Sequence, residues 1–460
     1  MPRYGFDMIR KSLLAAGAAL ILPAIVHATP ADPGTVQKAA LQDDVALDIT
    51  EGLTTEVGPR LAGTDAEARA RDWSVAKLKA LGFSNVRIEE YKMPVWVRGE
   101  EQASITSPFP AYMAVTALGN SGATGAKGIE AEVVYFPTLA DFQAAPDAAV
   151  KGKIAFVSHA MKAAQDGSGY GPFGQARRIG PNLAAKKGAV AIVIRSIGTD
   201  SHRLPHTGVT MFEKDVMPIP AAALSVPDAE NLERILARGQ PVRMKLLLTP
   251  RFVGEKVSGN VIAEVPGSDP AAGLVVGACH LDSWDLGTGA IDDASGCGIV
   301  AAAAKQVMAA GQPRRTIRVL WAGAEEVGGF GGDAYFESHK NEAHALAMES
   351  DSGADRVWQI AYRMPEALKP LASRIAAALE PLGIPPTMEQ AHGGADVEHL
   401  LKSGVNGIDL RQDATRYFDL HHTADDTFDK IDPVQLRQNV AAWATVFSIA
   451  ANTQDDLLHK

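Results

Sequence analysis

The chain has 460 residues, of which 46% are hydrophobic and 21% charged, so it holds enough apolar material for a large folded core. This composition excludes a disordered chain, a collagen and a small disulfide-stapled scaffold. Asp and Glu number 54 against 44 for Lys and Arg, a net charge of -10, so we expect no nucleic-acid partner. The two cysteines, Cys279 and Cys297, are too few for a disulfide framework or a cysteine-rich zinc site, and as small buried residues they need no chemical role.

The N-terminal segment has the layout of a secretory signal peptide. Arg3, Arg10 and Lys11 precede an apolar run over 13–26, and small residues follow through Ala28. The run is too short for a membrane-spanning helix, and no later segment is long and uncharged enough for one. We therefore expect cleavage of 1–28, a periplasmic or secreted product and no stable membrane anchor. The shortened chain would carry 41 basic and 53 acidic residues, a net charge of -12.

The first half of the remaining chain predicts an interrupted domain. Thr64 and Glu67 have the spacing of a capping box, which opens a helix that ends at Gly82, and a strand follows at about 86–95. Between 122 and 250, Val-rich strands alternate with Gly-rich loops. We predict that 122–250 is a β-rich lobe, called the insert below. It would separate an N-terminal part of a larger domain from a C-terminal part, at 42–121 and 251–456.

The second half alternates strands and helices. Strands are predicted at 261–265, 274–279, 316–321, 345–348 and 405–410, and helices at 295–310, 366–382 and 434–452. Because these strands are apolar throughout, they suit a sheet that helices cover on both faces. The prediction is an α/β three-layer sandwich with a mostly parallel central sheet.

Acidic residues and histidines recur at the C-terminal ends of these strands. They are His280 and Asp282, Asp292 and Asp293, Glu325 and Glu326, Asp351, and His421 and His422 followed by Asp425 and Asp426. In an open α/β sheet such ends form one crevice, where ligands bind. Each feature alone has an ordinary explanation: Asp293 and Ser295 could simply cap the helix that follows. The full series in chain order is much harder to attribute to chance.

Imidazole and carboxylate donors in this mixture suit zinc, and they outnumber the ligands of one tetrahedral ion. Two zinc ions that share a bridging carboxylate would use them all. A carboxylate outside the ligand set is then needed to move a proton, and the doublet of Glu325 and Glu326 can supply one base and one ligand. Asp282 can accept the second ring N–H of His280 and so fix its tautomer.

The series resembles the co-catalytic zinc exopeptidases, which include bacterial leucyl aminopeptidases and glutamate carboxypeptidase. Longer strings narrow the resemblance to the carboxypeptidase Q (plasma glutamate carboxypeptidase) branch, with similarity from about residue 45 to 450. These strings lie at 56–61, 280–285, 348–351 and 421–422. Within the insert, 194–196 and 205–208 resemble a protease-associated domain.

The resemblance implies a role for each residue of the series. His280 and Asp351 would be terminal metal ligands, Asp292 the bridge, Glu326 and His422 the remaining ligands, and Glu325 the general base acting on a water between the ions. His422 is preferred to His421 because the family's ligand stands four residues before the Asp of an Asp-Thr pair, here Asp426. The resemblance also implies a homodimer, an insert that partly covers the entrance, and a cis peptide between Asp292 and Asp293.

The predicted function is that of an exported di-zinc exopeptidase acting on short peptides, most plausibly dipeptides with free termini. A strict aminopeptidase or an N-acyl amidohydrolase would use the same metals. A non-catalytic protein that binds partners through the protease-associated lobe is an alternative of another class. Asp419, at a position where the resemblance leads us to expect an aromatic residue, and the run 392–396 leave the substrate preference open. Tyr417 could donate to an oxyanion or could simply pack.

Overall fold

A computed structural model describes residues 1–2 and 32–458. The predicted signal peptide, 1–28, lies outside the described residues apart from its first two. In the part of the chain that is described, no helix has the length and apolar character needed to cross a membrane.

The strands are β1 Ser84–Val97, β2 Glu101–Ser107, β3 Ala111–Met113, β4 Val115–Ala117, β5 Ile129–Phe136, β6 Ile154–Val157, β7 Ala191–Arg195, β8 Ala221–Leu224, β9 Arg243–Leu248, β10 Arg251–Val265, β11 Leu274–His280, β12 Thr316–Ala322, β13 His344–Glu349, β14 Val357–Arg363 and β15 Asn406–Gln412. The helices are α1 Pro33–Ala40, α2 Val45–Gly52, α3 Asp65–Ala80, α4 Leu139–Ala144, α5 Asp147–Val150, α6 Tyr170–Arg178, α7 Gly180–Lys186, α8 Val226–Leu236, α9 Ser295–Ala310, α10 Phe330–His339, α11 Lys369–Leu379, α12 Glu398–Lys402, α13 Tyr417–Leu420 and α14 Pro433–Asn452.

The central sheet has seven strands in the order β1-β10-β12-β11-β13-β15-β14. Its four inner strands β12, β11, β13 and β15 are mutually parallel, whereas β1, β10 and β14 pair antiparallel toward the edges. The predicted α/β fold class is therefore confirmed, and the sheet is parallel at its centre, with three parallel and three antiparallel strand pairings. Because the inner strands are parallel, their C-terminal ends lie along one edge of the sheet.

Helices cover both faces of this sheet. Successive side chains of a strand point to opposite faces, so Val275 and Val276 of β11 enter different apolar clusters. Val275 belongs to the cluster that contains α9 and α14, and Val276 to the one that contains Tyr335 of α10 and Leu400 of α12. Apolar residues on both faces of the strands thus produce the three layers.

A second sheet of eight strands has the order β3-β2-β9-β5-β6-β7-β8-β4. Three of its strands, β2, β3 and β4, precede the predicted start of the insert at residue 122. The largest apolar cluster contains Ile192 of this sheet together with Val275 of the central sheet, so the insert is not clearly a separate lobe. Its assignment as a protease-associated domain stays a prediction.

Candidate metal centre and active site

The five predicted metal ligands lie at the edge of the central sheet where the parallel strands end. His280 is the last residue of β11, and Asp351 follows β13 by two residues. Glu326 follows β12, Asp292 lies in the turn before α9, and His422 lies in the loop between β15 and α14. The topology therefore brings together residues that are up to 142 positions apart.

Asp292 lies between two histidines. Its Oδ1 is 2.9 Å from Nε2 of His280, and its Oδ2 is 3.3 Å from Nε2 of His422. Nε2 of His280 is also 3.4 Å from Oδ1 of Asp351, and Nε2 of His422 is 2.9 Å from Oε2 of Glu326. One histidine and one carboxylate thus flank each oxygen of Asp292, as a bridging carboxylate requires.

The unpaired atoms of this cluster fit metal ions. Oδ2 of Asp292 and Oε1 of Glu326 are buried and have no hydrogen-bond partner among the described residues. Burial, and next the charge of Asp292, raises the pKa of Glu326 to about 7. Buried carboxylates without a cation are costly, and the donors are the imidazole nitrogens and carboxylate oxygens that zinc prefers.

His280 is oriented by the backbone of Asp282 more closely than by its side chain. Nδ1 of His280 is 3.0 Å from the Asp282 carbonyl oxygen and 3.7 Å from Oδ1 of the carboxylate. A carbonyl only accepts, so Nδ1 carries the proton and Nε2 keeps its lone pair for a metal. The Asp282 carboxylate accepts a 3.0 Å hydrogen bond from the backbone N–H of Glu325 and so positions the predicted base.

Glu325 follows a turn in which Ala324 has a φ of +59°, a left-handed conformation that is unusual for a residue other than glycine. Burial raises the pKa of the Glu325 carboxyl well above its usual range. Together with Glu326 and Asp351, Glu325 lines a cavity of about 280 Å³. Of the two neighbouring glutamates, Glu326 contacts His422, whereas Glu325 makes no such contact and faces the cavity.

His422 is closer to the acidic residues than His421. Nε2 of His421 is 3.6 Å from Asp292, and its Nδ1 has no partner among the described residues. The two rings stack with centroids 3.5 Å apart. Burial, and next the neighbouring His422, lowers the pKa of His421 well below its usual range. These distances agree with the preference for His422 as the ligand.

The insert holds the loop that carries His422. The Thr207 backbone N–H donates to the His422 carbonyl at 3.0 Å, and Nδ1 of His422 donates to the Thr207 carbonyl at 3.1 Å. Nδ1 of His206 is 2.7 Å from the His421 carbonyl, and its Nε2 is 2.7 Å from Oδ1 of Asp200. His422 has a φ of +62°, so these contacts stabilise a strained backbone. In the sequence, the only signal at 205–208 is the resemblance to a protease-associated domain.

Two further buried residues hold the turn that carries Asp292. Asp426 accepts hydrogen bonds from the backbone N–H groups of Ala290 and Ile291 at 2.8 and 2.7 Å. Arg60, which lies in the string 56–61, donates across the fold to the backbone carbonyls of Leu281, Thr288 and Gly289. No spacing in the sequence indicates these contacts, because they join segments more than 130 residues apart.

Asp293 does cap the following helix: its Oδ1 accepts from the Gly296 N–H at 3.0 Å, and its peptide bond to Asp292 is cis.

Cys279 and Cys297 form a disulfide, which corrects the expectation that they have no chemical role. The pairing arises because the end of β11 and the start of α9 bring their Cα atoms within 5.2 Å.

The structure gives positions for Tyr417 and Asp419, whose roles the sequence did not settle. Tyr417 packs against Phe418 and lines both the 280 Å³ cavity and an adjoining one of about 530 Å³. Asp419 accepts a 2.7 Å hydrogen bond from Thr199 of the insert. Asp419 therefore contributes to the contact between the insert and α13.

Comparison with known proteins agrees with this site. Residues 260–447, which contain every predicted ligand, match the model of peptidase family M28. Carboxypeptidase Q of Bos taurus is 35% identical over 410 residues, covering 88% of this chain and 85% of the relative. The chain belongs to peptidase family M28.

Solved structures show the same relationship. The crystal structure of a peptidase M28 precursor from Shewanella amazonensis SB2B is 45% identical, with a TM-score of 0.91 over 93% of this chain and 97% of the other. The aminopeptidase from Aneurinibacillus sp. strain AM-1, 20% identical over 93% of this chain and 98% of the other, has a TM-score of 0.64 and shares the fold. The predicted resemblance to carboxypeptidase Q and the predicted enzyme class, a zinc metallopeptidase, are confirmed.

Proposed function

We propose that this protein is an exported exopeptidase that uses two zinc ions to hydrolyse short peptides, in particular dipeptides with free termini. The observation that carries the proposal is the Asp292 carboxylate, each of whose oxygens faces one histidine–carboxylate pair. His280 and Asp351 would hold one ion, and His422 and Glu326 the other. Export rests on the signal-peptide pattern of residues 1–28.

When bound, zinc supplies the Lewis acidity that polarises a peptide carbonyl and acidifies water. The chain itself supplies proton transfer and orientation. We assign the proton to the carboxylate of Glu325, which takes it from the attacking water and delivers it to the leaving amine. The Asp282 carboxylate accepts a hydrogen bond from the Glu325 backbone N–H and so holds the base at the cavity.

The test combines metal content with turnover. We expect the chain without residues 1–28 and its Glu325→Gln variant to retain two zinc ions each, because Glu325 is not a ligand. Hydrolysis of a Ser-Met dipeptide should fall about 10²- to 10⁴-fold in the variant, the usual contribution of a general base. Glu51→Gln is the matched control, since Glu51 is an exposed residue of α2. One zinc ion or none, or an unchanged rate in Glu325→Gln, would contradict the proposal.

Terminal preference is tested separately with a dipeptide, its N-acetyl form and its C-terminal amide, because each modification blocks one terminus. We expect the free dipeptide to be the best substrate. Cleavage of the acetylated form alone would instead identify an N-acyl amidohydrolase, and cleavage of the free and amidated forms at equal rates an aminopeptidase.

A further inference from the structure

The insert forms one wall of the 280 Å³ cavity. The wall that lies outside the insert contains Glu325, Glu326 and Asp351. The wall that comes from the insert contains Arg177 and Arg178, the last two residues of α6. The cavity therefore has carboxylates on one side and guanidinium groups on the other.

Arg177 is a buried cation that contacts no carboxylate. The residue is only 2% exposed, and among residues 32–458 no carboxylate oxygen lies within 4.0 Å of its guanidinium. Its Nη2 donates to the hydroxyl of Tyr170 at 2.6 Å. Its Nη1 donates to the Thr207 carbonyl at 3.2 Å and lies 3.5 Å from Nδ1 of His422, whereas its Nε has no partner among the described residues. A guanidinium in this state is stabilised by an anion that enters from the cavity.

Arg178 is half-buried and, like Arg177, contacts no acidic side chain among the described residues. Its guanidinium carbon lies 5.8 Å from the ring centroid of Tyr170, and that of Arg177 lies 5.4 Å from the same ring. No acidic side chain of the described residues lies within 4.0 Å of the Arg178 guanidinium. By contrast, Arg411 in the adjoining 530 Å³ cavity already contacts Glu389 at 2.5 Å. The uncompensated positive charge is thus on the insert side.

We propose that Arg177 and Arg178 bind the α-carboxylate of the peptide, so that the substrate class is peptides with a free C-terminus. The inference rests on the proposed peptidase function of the same cavity. Guanidinium groups present paired N–H donors that match a carboxylate, and both groups lie beside the same ring, that of Tyr170.

The experiment compares kcat/KM for a dipeptide and for its C-terminal amide in wild type, Arg178→Gln and Arg177→Lys. A charge-assisted hydrogen bond corresponds to about a tenfold or larger effect. We expect Arg178→Gln to lower kcat/KM for the free acid about tenfold or more, mainly through KM, and to leave the amide unchanged. Arg178→Glu should go further and favour the amide. Arg251→Gln, at an exposed arginine of β10, is the matched control.

Zinc content and melting temperature are measured for each variant, and if the buried Arg177 variant does not fold, the half-buried Arg178 carries the test. A wild type that cleaves the amide as well as the acid would overturn the carboxylate subsite, as would equal losses on both substrates in Arg178→Gln. A wild type that holds zinc and cleaves neither substrate would instead refute the proposed function.

Discussion

Replacing His206 with alanine tests whether the insert positions a metal ligand. His206 lies in the insert, and its ring nitrogens are 2.7 Å from the His421 carbonyl and 2.7 Å from Oδ1 of Asp200. Both the His206 and the Asp200 side chains are almost completely buried. The substitution therefore removes a contact to the ligand loop and leaves a buried carboxylate with the backbone N–H of His202 as its remaining hydrogen bond.

Two magnitudes follow. Loss of one partner from a buried, hydrogen-bonded pair should lower the free energy of unfolding by roughly 2–4 kcal/mol. Loss of a group that orients a ligand from behind typically weakens metal binding about 10- to 100-fold. Because Thr207 still holds His422 through two hydrogen bonds, we expect the lower end of that range for the ion on the His422 side. The ion on the His280 side should be unaffected.

The assay is competition for zinc with a chelator, together with urea unfolding of the metal-free protein. In His206→Ala, one of two zinc ions should be lost at about tenfold lower chelator concentration than in wild type. His206→Asn should recover most of this loss, since an amide can donate to the His421 carbonyl. The control is His202→Ala, at an exposed histidine of the same loop. Wild-type zinc affinity in a destabilised His206→Ala protein would refute the reasoning.

Two further predictions concern buried carboxylates. Asp426→Ala should lower the free energy of unfolding by roughly 2–4 kcal/mol and weaken zinc binding, because two buried N–H groups of the Asp292 turn lose their acceptor, whereas Asp426→Asn should retain most of both properties. Urea unfolding and zinc titration of the two variants measure this. At Glu67, burial outweighs the ion pair with Arg71 and raises the pKa to about 7. The folded state therefore favours the protonated form, a stabilisation that is complete below about pH 4.5 and is lost as the pH rises through 7. Wild type should lose up to about 3 kcal/mol between pH 5 and pH 8, and a Glu67→Gln variant with the same slope would contradict this assignment.

The apolar pattern of the sequence predicts every strand of the central sheet except β14. The predicted helix 295–310 coincides with α9, and the predicted strand 274–279 is one residue shorter than β11. The pattern is strong there because both elements are apolar throughout. The elements that were not predicted include α10 at Phe330–His339 and β14 at Val357–Arg363. Glycines in the first and polar residues in the second hide the periodicity, and pairing with β15 stabilises β14 as a strand.

The meeting of the predicted ligands could be found from the sequence, because parallel strands place their C-terminal ends at one edge of the sheet. The contacts behind the ligands could not. Arg60, His206 and Thr207 act on loops more than 200 residues away, through backbone carbonyls that any residue possesses. A carbonyl acceptor leaves no residue-type signature, so only the three-dimensional structure identifies these partners.

The insert stabilises the backbone conformation of a predicted metal ligand. His422 has a left-handed backbone, which is unfavourable for histidine by roughly 1–3 kcal/mol, and the insert supplies the hydrogen bonds that hold it there. Contact with the insert and the proposed binding of metal by His422 therefore favour the same loop conformation. Linkage is reciprocal, so whatever weakens the packing of 206–207 must weaken metal binding, and bound metal must strengthen that packing by the same free energy. An insert that only shielded the entrance would show no such coupling.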